Sequence, residues 1–203
     1  NLQIIDKKIY SDFIQTIKLG GIFMAATIIV IAIVVIIIGY GISIYNSIAK
    51  SEIKVDEGYS TIDVYLKKRY DLIPNLVSTV KGYAKHESET LTKVIEARNL
   101  AINSKDIGEI ANANSIISKA LPSIFALAEN YPNLKANDNF MSLQGELANI
   151  EGELSNARRY YNGCVREFNT KIITFPNILI ANIFGKTKKE FFGADKGERA
   201  NIK

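Results

Sequence analysis

The stretch FMSLQGELANIEGELSNARRYYNGCVREFNTKI, residues 140–172, decides the fold. Phe140, Leu143, Leu147, Ile150, Leu154, Ala157, Tyr161, Val165, Phe168 and Ile172 recur at steps of three and four, the spacing of one buried helical stripe. At ~1.5 Å per residue this is a rod of roughly 50 Å. Gly145, Gly152 and Gly163 fall off the stripe, and each weakens a helix by about 1 kcal/mol, so the rod needs partner helices along its length.

Those partners lie upstream. Tyr131-Pro132-Asn133 punctuates the chain. Before it, Asp106 is the expected N-cap of a helix carried by Ile110, Ile117, Leu121, Ile124 and Leu127, with Pro122 expected to kink or interrupt it. Leu76, Val77, Val80, Ala84, Leu91, Val94, Ile95 and Ile102 define another, with Pro74 in its first turn. Ile44, Ile48, Val55, Tyr59, Ile62, Leu66 and Tyr70 define the first. A rival reading runs that first helix through Pro74 to about His86 and yields three longer rods. No segment alternates with period two between turns, so the soluble part is expected to be all-α, an antiparallel bundle of four long helices over residues 41–174.

A membrane span precedes the bundle. No charge occurs from Leu19 to Ile38, and about twenty apolar residues cover the ~30 Å of a hydrocarbon core. A cleaved signal peptide is excluded by length and by the lack of a small-residue cleavage pattern before Tyr45. The expected organisation is an N-terminal segment (1–18), a transmembrane helix (19–40), the bundle (41–174) and an apolar, basic tail (175–203). Lys7, Lys8 and Lys18 precede the span, whereas Lys50 and Lys54 follow it. The count leans towards a cytoplasmic N-terminus and an external or periplasmic bundle, and residues ahead of Asn1 would alter it. Gly21 and Ala25 form a small-xxx-small pair that suits close helix packing.

The 203 residues carry a mixed net charge of +4, too mild and too dispersed to indicate nucleic acid. Catalytic chemistry is not expected. His86 is the lone histidine, and Thr90 stands where His86-Glu87 would need a second one for a zinc motif. Gly185-Lys186-Thr187 lacks the glycine at position 180 that a phosphate loop requires, since Ile180 is there. Cys164 has no second cysteine to pair with and no histidine nearby to activate it. Glu146, Glu151 and Glu153 are read as solvated charges. No catalytic, cofactor-binding or metal-ligating residue is assigned, and no cofactor is expected.

Two groups remain as candidate sites. Lys67, Lys68, Arg69, Asp71 and Asn75 cluster around the expected turn at Pro74, with Asp63 upstream, and Arg158, Asn162, Arg166 and Asn169 run beside the apolar stripe of the last helix. They are read as a polar network within the bundle or as an interface, with Asp63 and Asp71 available to pair with buried arginine and asparagine of that last helix. In the tail, Phe175, Ile178, Leu179, Ile183, Phe184, Phe191 and Phe192 stand beside Lys186, Lys188 and Lys189. Apolar residues flanked by lysine suit a membrane interface, and closing the base of the bundle is the other reading.

The stretches DVYLKKRYDLIPNLV (63–77) and VKGYAKHE (80–87), then YPNLKAN (131–137), RRYYN (158–162), Asn169-Thr170 and Phe175-Pro176-Asn177, together resemble the LemA family over about residues 44–192. Ala101 to Ala128 departs most from the family pattern. The resemblance implies a bacterial membrane-anchored helical bundle without established enzymatic activity. It also implies relatives encoded beside membrane proteases, and a related group linked to membrane shaping. The expectation is a single-pass protein of the bacterial cell membrane acting as a self-associating, non-enzymatic scaffold on lipid. The alternative is an adaptor or sensor regulating a membrane protease or signalling protein.

Overall fold

The computed structural model describes residues 2–84 and 88–193, with the side chains of 20, 21, 23–84 and 89–193. His86 and residues 194–203 of the tail lie outside the described residues. Two compact units divide the chain, residues 1–47 and 48–203. Among the described residues there are helices and no strands. Helix α1 (Leu2–Tyr83) contributes to both units.

In the first unit α1 is a helix whose large apolar side chains from Phe23 to Ile42 are between 47% and 69% exposed. Water penalises such a surface and a lipid interior does not. Thr27 donates its hydroxyl to the Phe23 carbonyl at 2.9 Å, so its polar group is satisfied within the helix, as a hydrocarbon environment demands. Among the described residues this is the helix long and apolar enough to cross a membrane, compatible with a single-pass anchor.

The second unit is a bundle of the remaining turns of α1 with α2 (Ser88–Asn103), α3 (Ile107–Asn130) and α5 (Asp138–Ile173). A single turn, α4 (Pro132–Lys135), links α3 to α5, and α6 (Asn177–Ile183) follows. All ten expected stripe positions of α5 are buried, together with Cys164. They meet Ile48, Val55, Ile62, Leu66, Ile73, Leu76 and Val80 of α1, Leu91 and Val94 of α2, and Ile117, Leu121 and Ile124 of α3 in one core. Ile102, expected in the seam, is 48% exposed on the last turn of α2.

Caps fall where short polar side chains permit them. Asp106 accepts from the Glu109 N–H at 2.8 Å and starts α3, as expected. Asn137 accepts from the Phe140 N–H at 2.9 Å to start α5, while its amide donates to the Tyr83 hydroxyl at 3.1 Å. α1 and α5 run antiparallel: Tyr83 adjoins Asn137, Arg69 adjoins Glu151, and Gly58 adjoins Tyr161. A Cβ on Gly58 would stand 3.2 Å from the Tyr161 Cα, so glycine here permits the close approach.

The first helix break differs from the leading sequence reading. α1 continues through Pro74 to Tyr83, and the chain turns after it. Proline removes the N–H that would bond the Tyr70 carbonyl. Arg98 on α2 supplies the missing donor, its Nε reaching the Tyr70 oxygen at 2.8 Å. Four helices still result because α2 is separate. Pro122 likewise sits inside an uninterrupted α3.

Candidate functional site: a buried arginine network and a C-terminal strap

Arg69 occupies a heptad position on α1 in register with Ile48, Val55, Ile62 and Leu76, and its side chain is 0% exposed. Its Nη1 donates to the Asn114 side-chain oxygen at 3.2 Å and its Nη2 to the Ser118 hydroxyl at 2.8 Å, both on α3. Nη2 also lies 2.8 Å from Glu151 Oε1 of α5, an ion pair angled away from hydrogen-bond geometry. Ser118 donates to the other Glu151 oxygen at 2.9 Å, and Asn114 donates to the Tyr70 hydroxyl at 2.6 Å. Three helices are thus joined through one guanidinium. Burial pulls the Arg69 pKa down to about 10, Glu151 opposes the fall and Arg158 adds to it. The group remains charged at neutral pH.

Arg158 lies one heptad, about two helical turns, along α5 from Glu151 and is half-buried. Burial lowers its pKa while Glu151 opposes. Its guanidinium carbon stands 5.2 Å from the centre of the Phe192 ring, and its Nε and Nη2 are buried without a hydrogen-bond partner among the described residues. Cation–π contact is therefore what residues 186–192, the C-terminal strap, offer it through Phe192.

After α6 the chain reverses at Gly185, whose φ of 62° favours glycine, and residues 186–192 return along α5. Asn169 donates to the Lys189 carbonyl at 2.9 Å and accepts from the Lys189 N–H at 2.8 Å. Asn162 does the same to Phe192, at 3.1 and 2.9 Å. Each asparagine therefore grips both main-chain groups of one residue. Seven residues of helix rise about 10 Å, and three extended residues cover about the same. That match explains why clamps one heptad apart meet every third strap residue.

Between the clamps, the Tyr161 hydroxyl donates to the Glu190 carbonyl at 2.8 Å, and burial pushes that phenol up to about 12. At the other end Lys186 and Lys189 reach Glu52 of α1 at 2.5 and 3.1 Å. Hydrogen bonding from Lys186 holds the Glu52 carboxyl below its usual 4.5, against an opposing effect of burial.

The strap is nearly balanced. Five hydrogen bonds to α5 at about 1 kcal/mol each, Phe192 burial and its cation–π contact at about 3 and two ion pairs at about 1 each give about 10 kcal/mol. Ordering seven residues costs roughly 7–14 kcal/mol.

The structure redistributes the sequence-stretch candidates. Arg69, Arg158, Asn162 and Asn169 line this polar spine. Asp63 and Asp71 do not pair with Arg69: Asp63 faces Lys67 at 2.7 Å in solvent and Asp71 is exposed. Glu151, read as solvated, is the partner instead, its side chain 30% exposed. Glu153 accepts from Tyr65 at 3.4 Å, while Asn75 and Arg166 are exposed, Arg166 lining an open depression with Gly163, Glu167 and Lys171. Lys188 is exposed, and Phe191 and Ile178 are half-buried. Phe192, expected among the membrane-contact residues, is instead 3% exposed against Arg158. Phe175, Ile183, Leu179 and Phe184 are 80%, 74%, 55% and 54% exposed. Among the described residues no group of acidic, histidine or cysteine side chains is arranged to hold a metal.

The LemA family model matches residues 58–203. Protein LemA of Metamycoplasma hominis is 26% identical over 161 residues, covering 77% of this chain and 72% of that protein. Two magnetosome MamQ proteins of Paramagnetospirillum magneticum are each 23% identical over 174 residues, 73% of this chain and 64% of theirs. MamQ of Magnetospirillum gryphiswaldense is 21% identical over 159 residues, 66% of this chain and 58% of its own length. The chain thus spans less than two thirds of the MamQ proteins. None of these names denotes an enzyme.

Proposed function

The chain belongs to the LemA family, and from that premise we propose a membrane-anchored, non-enzymatic scaffold that self-associates and organises or remodels the membrane or membrane complexes. Similarity to proteins named for the magnetosome supports a membrane-organising role. So does the use made of the polar groups: the buried charges described above are spent on joining helices and on holding the strap.

The observation that carries the reading is the apolar surface at the end of the bundle. Leu179 and Ile183 lie four residues apart on one side of α6, Phe175 precedes that helix and Phe184 follows it, and all four are exposed. Soluble surfaces keep such residues scattered. Exposed Lys188 comes next in the chain, between the two lysines that Glu52 holds, and a cation beside apolar residues suits an interfacial segment on anionic lipid. Glu52, which the strap lysines grip, follows Tyr40 by only twelve residues of sequence. A tether confines copies to a plane and raises their effective concentration, so weak lateral contacts suffice for assembly.

Two measurements test this. Extraction of the intact complex from native membrane, followed by mass measurement, is expected to give multiples of the chain. Monomers alone would refute self-association, and a stoichiometric foreign protease would favour the adaptor reading. The bundle is proposed to face outward, which labelling of an added cysteine at exposed Lys188 in intact cells reports. Serine at Phe175, Leu179 and Ile183 together is expected to weaken remodelling of anionic liposomes several-fold. Unchanged remodelling would remove the lipid contact.

A further inference from the structure

The α5 groove holds an extended peptide by its main chain, and the peptide it holds is the end of the same chain. We infer that the groove between Glu52 and Arg158 is an exchange site, which takes the strap of a neighbouring copy when its own strap lifts. This inference deepens the self-association reading and rests on it.

Four observations converge. Asn162 and Asn169 recognise peptide N–H and C=O groups, which are the same whichever chain supplies them. Side-chain contacts add direction and register: Lys186 and Lys189 face the Glu52 carboxylate at one end, and Phe192 lies under Arg158 at the other. An occupant must therefore be extended, basic in its first half and aromatic three residues after its second lysine contact, which is the sequence of the strap itself. Gly185, at positive φ, closes α6, with the Lys186 N–H still held by the Ala181 carbonyl at 2.9 Å, so the residues after Lys186 can leave α5 while α6 keeps its cap. Finally, the strap's gains and its ordering cost are of the same order, so lifting it is not prohibitively costly. Exchange of an identical element between copies loses no native contact, and a planar tether raises the concentration of neighbouring straps.

The test uses three forms of the full anchored chain in nanodiscs or native membrane. One ends at Gly185 and has a groove but no strap. One carries N162A and N169A and has a strap but no clamp. The third is wild type. The first two, each alone, are expected to lose assembly while keeping their helical circular dichroism and cooperative melting. Mixed, they are expected to co-purify, because the clampless chain's strap docks in the strapless chain's groove. Wild-type chains that are monomeric would overturn both this inference and the scaffold reading. If either altered form assembles alone as wild type does, or if the mixture fails to associate, exchange is refuted while the scaffold reading stands.

A labelled peptide of residues 186–193 gives a second measurement that does not depend on assembly. It is expected to bind the strapless chain saturably, and at least tenfold more weakly when N162A and N169A are added. Absence of binding, or binding indifferent to both clamps, overturns the inference.

Discussion

Replacing Glu151 by glutamine keeps the shape of the network and removes its only carboxylate. Arg69 is fully enclosed, and its Nη2 stands 2.8 Å from Glu151, so the lost attraction acts where water does not replace it. At an effective dielectric of about 20 and a charge separation near 4 Å, the attraction is about 4 kcal/mol. Stripping one partner from a buried pair costs about 3–5 kcal/mol. Glu151 is partly hydrated, which reduces the expected loss to about 2–4 kcal/mol. For a chain of this size that corresponds to a fall in Tm of roughly 5–15 °C. The assay is thermal unfolding of the full chain in detergent, followed by far-ultraviolet circular dichroism. Glu153→Gln, two residues away with only a 3.4 Å contact to Tyr65, is the control and is expected to be nearly silent. Arg69→Met with Glu151→Leu removes both charges and is expected to recover most of the loss, since an apolar replacement of a buried pair is close to neutral. If Glu151→Gln melts within about 1 °C of wild type, or if the double variant melts as low as the single one, the arginine is not held by this carboxylate.

The other expectations follow from single contacts. Arg98→Met strands the Tyr70 carbonyl beneath Pro74 and costs about 1–3 kcal/mol in wild type but far less with Pro74→Ala, which restores the helical N–H; a double-mutant cycle in urea reads the coupling. Gly58→Leu forces a side chain onto the Tyr161 backbone and is expected to destabilise by about 1–3 kcal/mol, measured by the same melt. Glu52 has a folded pKa below 4.5, so its contribution is complete above 4.5 and is lost as pH falls through the folded value. Proteolysis within residues 186–192 is therefore expected to accelerate in mild acid below that point in wild type and to be pH-independent there in Glu52→Gln.

The sequence announced the α5 core fully, because ten aliphatic and aromatic residues at three-four steps have one geometric meaning. It misled at Pro74, where a local breaker outweighed the period. Yet Leu66, Ile73 and Val80 keep an unbroken seven-residue step across it, and all three are buried on α1. What permits the helix to continue is Arg98, twenty-eight residues downstream of the Tyr70 carbonyl it caps, which no local pattern reveals. Glu151 was read as solvated for a simpler reason. It lies off the apolar stripe of α5, and its facing a buried arginine eighty-two residues upstream leaves no local pattern. The strap escaped because its signal is neither helical nor of period two. Lys189 and Phe192 are gripped at step three by main chain, and the only trace of that in the sequence is a pair of asparagines one heptad apart.

Polar residues that cost stability also fix the register in which the bundle closes. Leu143, Leu147, Ile150 and Leu154 are nearly interchangeable, so an α5 slid by one heptad against α1 would bury much the same apolar area. Sliding by seven would bring Arg158 or Gln144 opposite Arg69 in place of Glu151, leaving an enclosed cation facing a second cation or a neutral amide. It would also move Tyr161 off Gly58 and set side chain against side chain where the helices now approach closely. Glu52 meets the strap lysines, and Arg158 meets Phe192, in the unslipped register. The buried arginine therefore governs the groove at a distance: by holding α1 and α5 in one alignment, it places the carboxylate and the guanidinium that read the two ends of the strap.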